Sequence, residues 1–317
     1  MSATSFYDDC APTSPAVRYA VNPNAPVPDR AASRFGGAQN ARFVFSVDLE
    51  DYFHVSAFES IAPRARWDQF TSRVDYSTNV LLDLLDDTHS RATFFVLGWV
   101  AERQPKLIQA VAARGHEIAA HSYWHQRVTT MTRADFTADA IRTRELLEQI
   151  LGADVSGFRA PSFSITPSNA WAFEALVEAG YRYDSSVFPI RRRGYGFPGA
   201  PRDAYTIQTA SGALDEFPLA TLSLGPWPLP AAGGGYLRHF PFQVIAASVR
   251  EVKDAGRVGV YYIHPWEVDV DQPRLATSTL TRWRHYGGLR HTAPRLRRLL
   301  ESAPFTSFRA LREERAA

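Results

Sequence analysis

Short apolar runs alternate along the chain with stretches of helical spacing, and glycines, prolines or capping residues mark many of the changeovers. RFVFSVD at 42–48 is a β-branched and aromatic run that predicts a buried strand ending in acids. NVLLDLLDD at 79–87 has helical spacing, and ATFFVL at 92–97 predicts a second buried strand. A helix then runs from Pro105 to Arg114 with Gly115 as its stop, and HEIAAHS predicts a third strand ending in polar residues. Thr132 with Asp135 resembles a capping box for a long helix reaching Leu151, ended by Gly152, and GFRAPS follows as a short strand. Thr166-Pro167 starts another helix through SNAWAFEALVEA, closed by Gly180 before YRYDSS. A helix from about Pro241 to Ala255, stopped by Gly256, precedes the strand VGVYYIH ending at His264.

This alternation predicts a parallel sheet with helices outside it, open or closed as a barrel, whose ligands gather at the C-terminal strand ends. Three segments break the rhythm. Residues 1–40 hold five of the 21 prolines and no apolar periodicity, the composition of a flexible arm. Residues 191–236 are dense in Gly and Pro, with one strand at 214–217, and read as a loop-rich insertion of the kind that forms lids or binding walls. From Thr281 to Ala317 nine Arg face three Glu, and TAPRLRRLLESA predicts a closing helix. The expected organisation is an arm over 1–40, a catalytic domain over 41–270 that includes the insertion, and a basic C-terminal extension over 271–317 packed on the barrel.

With 45% hydrophobic and 21% charged residues the chain is an ordinary folded protein, and a net charge of +2 argues against a general nucleic-acid binder. The single cysteine, Cys10, excludes an intrachain disulfide. The chain begins without a basic, apolar leader and has no run of ~18 apolar residues, so the expectation is a cytoplasmic protein without a transmembrane segment. The Arg-rich C-terminus reads as a solvated helix face, with contact to an anionic glycan, a lipid-linked glycan or a membrane surface as the alternative.

Candidate chemistry collects at the predicted strand ends. His121-Ser-Tyr-Trp-His125 places two imidazoles four residues apart, which a helical turn would put on one side. Two neutral imidazoles with one carboxylate form a three-ligand site that leaves a coordination position open, as in catalytic zinc centres. Without Glu next to His121, the pattern is not the metalloprotease helix. Asp48-Leu-Glu50-Asp51 leaves the first strand in a turn, so one acid could ligate a metal while another takes a proton; a helix cap or solvated turn is the bland alternative. Arg159, in GFRAP, would hold a neighbouring carboxylate ionised, or serve as a structural ion pair. Asp184 and His264 end two further strands, as a turn acid and a candidate general acid. Tyr195, Phe197, Trp227, Tyr236 and Trp266 either offer platforms to sugar faces or fill the core beneath the insertion. Gly233-Gly234-Gly235 reads as a flexible turn, since no Lys-Ser/Thr follows it to make a phosphate cradle.

In order, FSVDLED, ATFFVLGWVAERQPKLIQAVAARGHEIAAHSYWH, GFRAP, GYRYDSS and YYIHP resemble the polysaccharide deacetylase family, carbohydrate esterase family 4, over most of residues 42–268. VDLEDYFHVSAFE with HPWE and a long extension is similar to its exosortase-associated branch, found with exopolysaccharide genes. The resemblance implies a distorted (β/α) barrel of about seven strands, one divalent metal per chain, commonly Zn²⁺, and removal of N-acetyl groups from a glycan. It implies His121, His125 and Glu50 as ligands, with Asp51 the alternative, because Leu49 separates acids that most members place side by side. Asp48 becomes the base, oriented by Arg159, and His264 the acid, held protonated by Asp184. Pro161, Phe163, Tyr236 and Trp266 become substrate contacts. Tyr262 stands where Leu is usual, and the aromatic expected directly after Pro161 comes one place later, as Phe163. Two rivals stay open: a cyclic amide or ureide hydrolase on the same scaffold, and a glycan-binding protein without turnover.

Overall fold

A computed structural model describes residues 41–192, 195–225 and 227–316. The arm expected over residues 1–40, with Cys10, lies outside the described residues. The strands are β1 (Arg42–Leu49), β2 (Ala92–Val96), β3 (Glu117–Ala120), β4 (Gly157–Phe158), β5 (Tyr183–Asp184), β6 (Tyr205–Thr209), β7 (Gly212–Glu216), β8 (Thr221–Leu224), β9 (Trp227–Pro230), β10 (Val258–Ile263) and β11 (Phe305–Thr306). The helices are α1 (Val74–Asp87), α2 (Gly98–Arg103), α3 (Pro105–Ala113), α4 (Arg133–Leu151), α5 (Trp171–Glu178), α6 (Gly234–His239), α7 (Phe242–Asp254), α8 (Thr279–Tyr286), α9 (Thr292–Leu300) and α10 (Phe308–Ala316).

The main sheet runs β10-β1-β2-β3-β4-β5-β7-β6, with β11 also pairing to β1. It is parallel except where β6 meets β7. The result is a mixed α/β fold whose sheet curls into a half-barrel, the distorted (β/α) barrel expected. From Phe43 to Leu49, β1 is buried throughout, as befits a strand covered on both faces. Local signals act where the sequence places them. Thr132 Oγ1 accepts from Asp135 N at 3.1 Å to cap α4, and Gly152 ends that helix in the left-handed region at φ 63°.

The insertion is more ordered than its composition suggests. Two antiparallel strand pairs, β6–β7 and β8–β9, occur within it, and β7 pairs parallel to β5 in the register Asp184↔Glu216. Gly212 opens β7, and Pro228 and Pro230 lie within β9, which hides the period of two.

The C-terminal segment is built into the barrel. β11 joins β1 at Phe43↔Phe305, and Phe308, fully buried, packs on Phe95, Tyr183 and Phe217 at ring-centroid distances of 5.8, 5.1 and 4.9 Å. Several of its cations act as pins. Arg295 donates to the carbonyls of Leu237, Arg238 and Phe240, Arg297 pairs with Asp87, and Arg298 lies over the Phe242 ring. Among the described residues no helix is long and apolar enough to cross a membrane.

Candidate active site

Five parallel strands deliver the site from their C-terminal ends. β1 ends in Asp48 and Leu49 and leads into Glu50; β3 leads into His121, β4 into Arg159, β5 into Ser185 and Ser186, and β10 into His264. The segment 121–125 is a bend, correcting the expected helical turn: Ser122 and His125 both take positive φ, 64° and 51°. Two elements hold this costly backbone in place. The first amides of α2 donate to the Ser122 and Tyr123 carbonyls, and Asp139 of α4 accepts from Tyr123 N at 3.0 Å.

Glu50, His121 and His125, all buried, bring one ligand atom each within 4.8 Å of one another. His125 Nε2 lies 2.9 Å from Glu50 Oε2, a buried oxygen with no hydrogen-bond partner in geometric terms. His121 Nδ1 lies 2.8 Å from the Arg159 carbonyl, which can only accept, so Nδ1 carries the proton and Nε2 is free to ligate. Burial pushes His121 down to about 4 against the pull of Asp48, which keeps it neutral as a ligand must be. Burial also disfavours a charged Glu50, but His125, His264 and His121 together hold its carboxyl far below the usual range. Two imidazoles, one carboxylate and an orphaned oxygen fit a divalent cation such as zinc.

Asp48 Oδ1 accepts from Arg159 Nη1 at 2.7 Å. Arg159 is fully buried, also donates to Ser46 Oγ, Ser185 O and Ser185 Oγ, and rests over the Phe95 ring. Asp48 Oδ2 is left 4.0 Å from His264 Nε2, which lies 3.6 Å from Glu50 Oε1.

The partner of His264 departs from expectation. Its Nδ1 lies 2.8 Å from Glu267 Oε1, and Glu267, itself buried, pairs with Arg238 at 2.8 Å. Burial opposes the imidazolium, but the Glu267 hydrogen bond and the charges of Glu50, Glu267 and Asp48 outweigh it and raise His264 to about 9. Asp184 does not have this role: its carboxylate bonds to Ser186 Oγ and N, and faces Glu216 of β7. The strand pairing that places Asp184 there is long-range, whereas Glu267 is only three residues past His264, in HPWE. That i, i+3 box was the readable signal.

Asp51 is also corrected as a ligand candidate. Its Oδ2 accepts from Ser72 Oγ, Arg73 N and Val74 N, capping the start of α1, and its Oδ1 accepts from Tyr52 N. A carboxylate so occupied is a structural cap.

These groups open on a cavity of about 360 Å³. Phe163, Tyr236 and Trp266 line it, as does Tyr195, and Arg127, Arg284 and His285 add cationic or polar wall. Trp266 stacks between His264 and His285, at 5.0 and 4.2 Å, and its Nε1 points to Glu50 Oε1 at 3.5 Å. Pro161 is buried and opens the 3-10 turn that presents Ser162 and Phe163, so it shapes the wall from behind. Phe197 packs on Phe173 in the core, and Trp227 stands 69% exposed on β9, so neither is a platform in this cavity. The glycine run has a packing reason: a Cβ on Gly233 would come 2.7 Å from the Tyr262 hydroxyl, and one on Gly234 would collide with the Glu267 carboxylate at 2.2 Å.

Residues 67–183 match the family model described as polysaccharide deacetylase, and residues 185–313 match one described as a domain of unknown function, DUF3473. The second match contains β6 to β11 and supplies His264, Glu267 and Arg238. Over 98 residues the chain is 32% identical to a peptidoglycan-N-acetylglucosamine deacetylase of Bacillus cereus, covering 31% of this chain and 36% of that protein. Over 85 residues it is 33% identical to a chitooligosaccharide deacetylase of Sinorhizobium fredii, covering 26% and 40%. The chain thus spans well under half the length of these curated relatives. A Mycobacterium smegmatis protein assigned to the polysaccharide deacetylases has a crystal structure that superposes with a TM-score of 0.60 at 19% identity, over 88% of this chain and 91% of that one. The likeness to polysaccharide deacetylases in sequence thus lies within residues 67–183, and the Mycobacterium smegmatis structure shows that the fold extends over most of the chain.

Proposed function

We propose that the protein is a metal-dependent hydrolase that removes N-acetyl groups from amino sugars of a polysaccharide or its precursor, giving acetate and a free amine. One observation carries this reading. The Glu50, His121 and His125 donors, the Asp48–Arg159 pair and the His264–Glu267 pair meet around a single cavity. A binding protein needs no such combination of ligand set, fixed base and charged acid. Names borne by the relatives, peptidoglycan and chitooligosaccharide deacetylases, support an N-acetylhexosamine glycan as substrate. VDLEDYFHVSAFE and HPWE support the exosortase-associated exopolysaccharide branch.

An amide needs a stronger nucleophile than water, a polarised carbonyl and a protonated leaving nitrogen. Zinc at Glu50, His121 and His125 would supply Lewis acidity toward the carbonyl and would acidify water. Asp48 is held by Arg159 through Oδ1, which leaves Oδ2 to accept the proton of the attacking water. His264 presents Nε2–H on the opposite side of its ring from Glu267, and donates to the departing nitrogen. Water is thereby split between acetate and amine, and the two protonation states are reset by exchange with solvent.

The test is acetate release from N-acetylglucosamine oligomers by the zinc-loaded chain. Release is expected, with Asp48→Asn and His264→Ala each lowering turnover by ~10² or more, as loss of acid or base assistance does. Near-normal turnover in either variant would remove that residue from its role.

A further inference from the structure

His54 is a buried polar side chain that the proposed chemistry leaves unused and that lines a small cavity shared with His125. It is 3% exposed and wedged among Phe53, Trp67 and Trp99, with ring centroids 4.4, 4.3 and 5.0 Å away. Such packing fixes the ring plane. The backbone N–H of Asp51 donates to His54 Nδ1 at 2.9 Å. A backbone amide can only donate, so Nδ1 is bare and the ring proton sits on Nε2. That Nε2–H is buried and has no hydrogen-bond partner. Leaving a buried donor unpaired is costly, so its surroundings call for an explanation.

A second, small cavity of about 10 Å³ is lined by His54, Ser56, Glu59, Arg64, Trp67 and His125, with Ala62. That is the lower limit of room for one water, and polar side chains share its wall with Ala62 and Trp67. His125 reaches it from the metal side. With Nε2 turned to Glu50, a neutral liganding His125 carries its proton on Nδ1, on the other flank of the ring. The two liganding imidazoles are therefore braced differently. His121 is fixed directly by the Arg159 carbonyl, whereas among the described residues no hydrogen bond fixes His125 Nδ1.

We propose that His54 is a positioning residue for His125, acting through one water in this cavity that accepts from both His54 Nε2–H and His125 Nδ1–H. Two lone pairs on one oxygen satisfy both donors, and the water's own hydrogens are left for the Glu59 carboxylate and the Ser56 hydroxyl. The orphaned donor and the unbraced ligand are then resolved together. The inference rests on the metal-site reading above. Loss of an outer partner of a liganding histidine typically weakens metal binding by ~10–100-fold.

The experiment compares the full-length chain with His54→Asn and His54→Gln, measuring Zn²⁺ affinity by competition with a chromophoric chelator, and thermal unfolding of the zinc-free proteins. Asn keeps an acceptor for the Asp51 amide but cannot reach the Nε2 position, whereas the Gln amide can. The expected result is Zn²⁺ binding ~10–100-fold weaker in His54→Asn, near wild type in His54→Gln, with similar zinc-free unfolding midpoints in the two variants. Wild-type affinity in His54→Asn, or equal weakening in both, would overturn the proposal. Absence of Zn²⁺ binding by the wild type would instead bring down the metal-site reading, and this inference with it. Nitrogen-15 NMR of the zinc-loaded wild type gives a check that needs no variant: a His125 Nδ1–H proton protected from exchange is expected, and a freely exchanging one contradicts the bridge.

Discussion

Replacing Arg159 by Met separates what the buried ion pair does for the fold from what it does for the chemistry. Arg159 is fully buried and Asp48 is 2% exposed, so removing the guanidinium leaves a nearly buried carboxylate without its counter-charge. Breaking a buried pair from one side costs about 3–5 kcal/mol. The Ser185 carbonyl also loses its donor, adding about 1 kcal/mol, while Ser46 Oγ and Ser185 Oγ keep the bonds they donate to the Tyr261 and Phe217 carbonyls. Roughly 4–6 kcal/mol is thus expected for Arg159→Met, a large share of an ordinary domain's stability. Adding Asp48→Asn removes the stranded charge and should return most of the 3–5 kcal/mol part. Urea unfolding of the wild type, both single variants and the double variant measures this coupling directly. Acetate release on the same four proteins should behave differently, because the double variant regains stability and still has no base. Additive stabilities would show that the two side chains do not act as a pair. Turnover restored along with stability would show that Asp48 is not the base.

The reassignment of the His264 partner predicts that Glu267→Gln lowers turnover by ~10-fold or more with zinc content unchanged, whereas Asp184→Asn leaves turnover near wild type; the reverse ranking in an acetate-release assay would restore Asp184 to that role. Phe308→Ala should cost about 3–5 kcal/mol in urea unfolding, since it empties a fully buried ring site among Phe95, Tyr183 and Phe217; a loss below about 1 kcal/mol would mean that the C-terminal segment is not part of the barrel core. Burial raises Glu216 well above the usual carboxyl range, and the neighbouring Asp184 charge raises it further. The folded state therefore keeps a proton that the unfolded state releases above about pH 4.5, so this group's contribution falls as pH rises from there. Unfolding from pH 5 to 8 should show Glu216→Gln gaining on the wild type, and a constant difference would contradict the buried, protonated carboxyl.

Most of the barrel was legible because its signals are local. Thr132 and Gly152 mark the two ends of α4, and the apolar runs at 42–48, 92–97 and 258–263 are buried strands whose periodicity needs no distant partner to be read. β7 was seen only as an isolated strand, because its place beside β5 depends on the Asp184↔Glu216 register, which no window of sequence contains. Chemistry followed the same division. Glu50 and His121 directly follow strand ends and His125 comes four residues after His121, so the imidazole pair was legible, whereas Glu50 as their carboxylate partner came from the resemblance. Asp184 was misread, and Asp51 was kept as an alternative ligand, because a carboxylate's partner is set by tertiary contacts: Asp51 is taken up by the α1 amides across twenty-odd residues, and Asp184 by β7. His54 gave no signal, since an imidazole among aromatic residues reads as core until its unpaired Nε2 is seen beside the cavity it shares with His125.

The proposed function requires that Glu50, His121 and His125 hold a metal on which the activity depends. Native mass spectrometry of the purified chain, after chelation and addition of stoichiometric Zn²⁺, tests it without any assumption about substrate. One zinc per chain is expected in the wild type and in Asp48→Asn, and none retained in His121→Ala. Wild-type protein that holds no zinc, or a His121→Ala variant that holds a full equivalent, would contradict it.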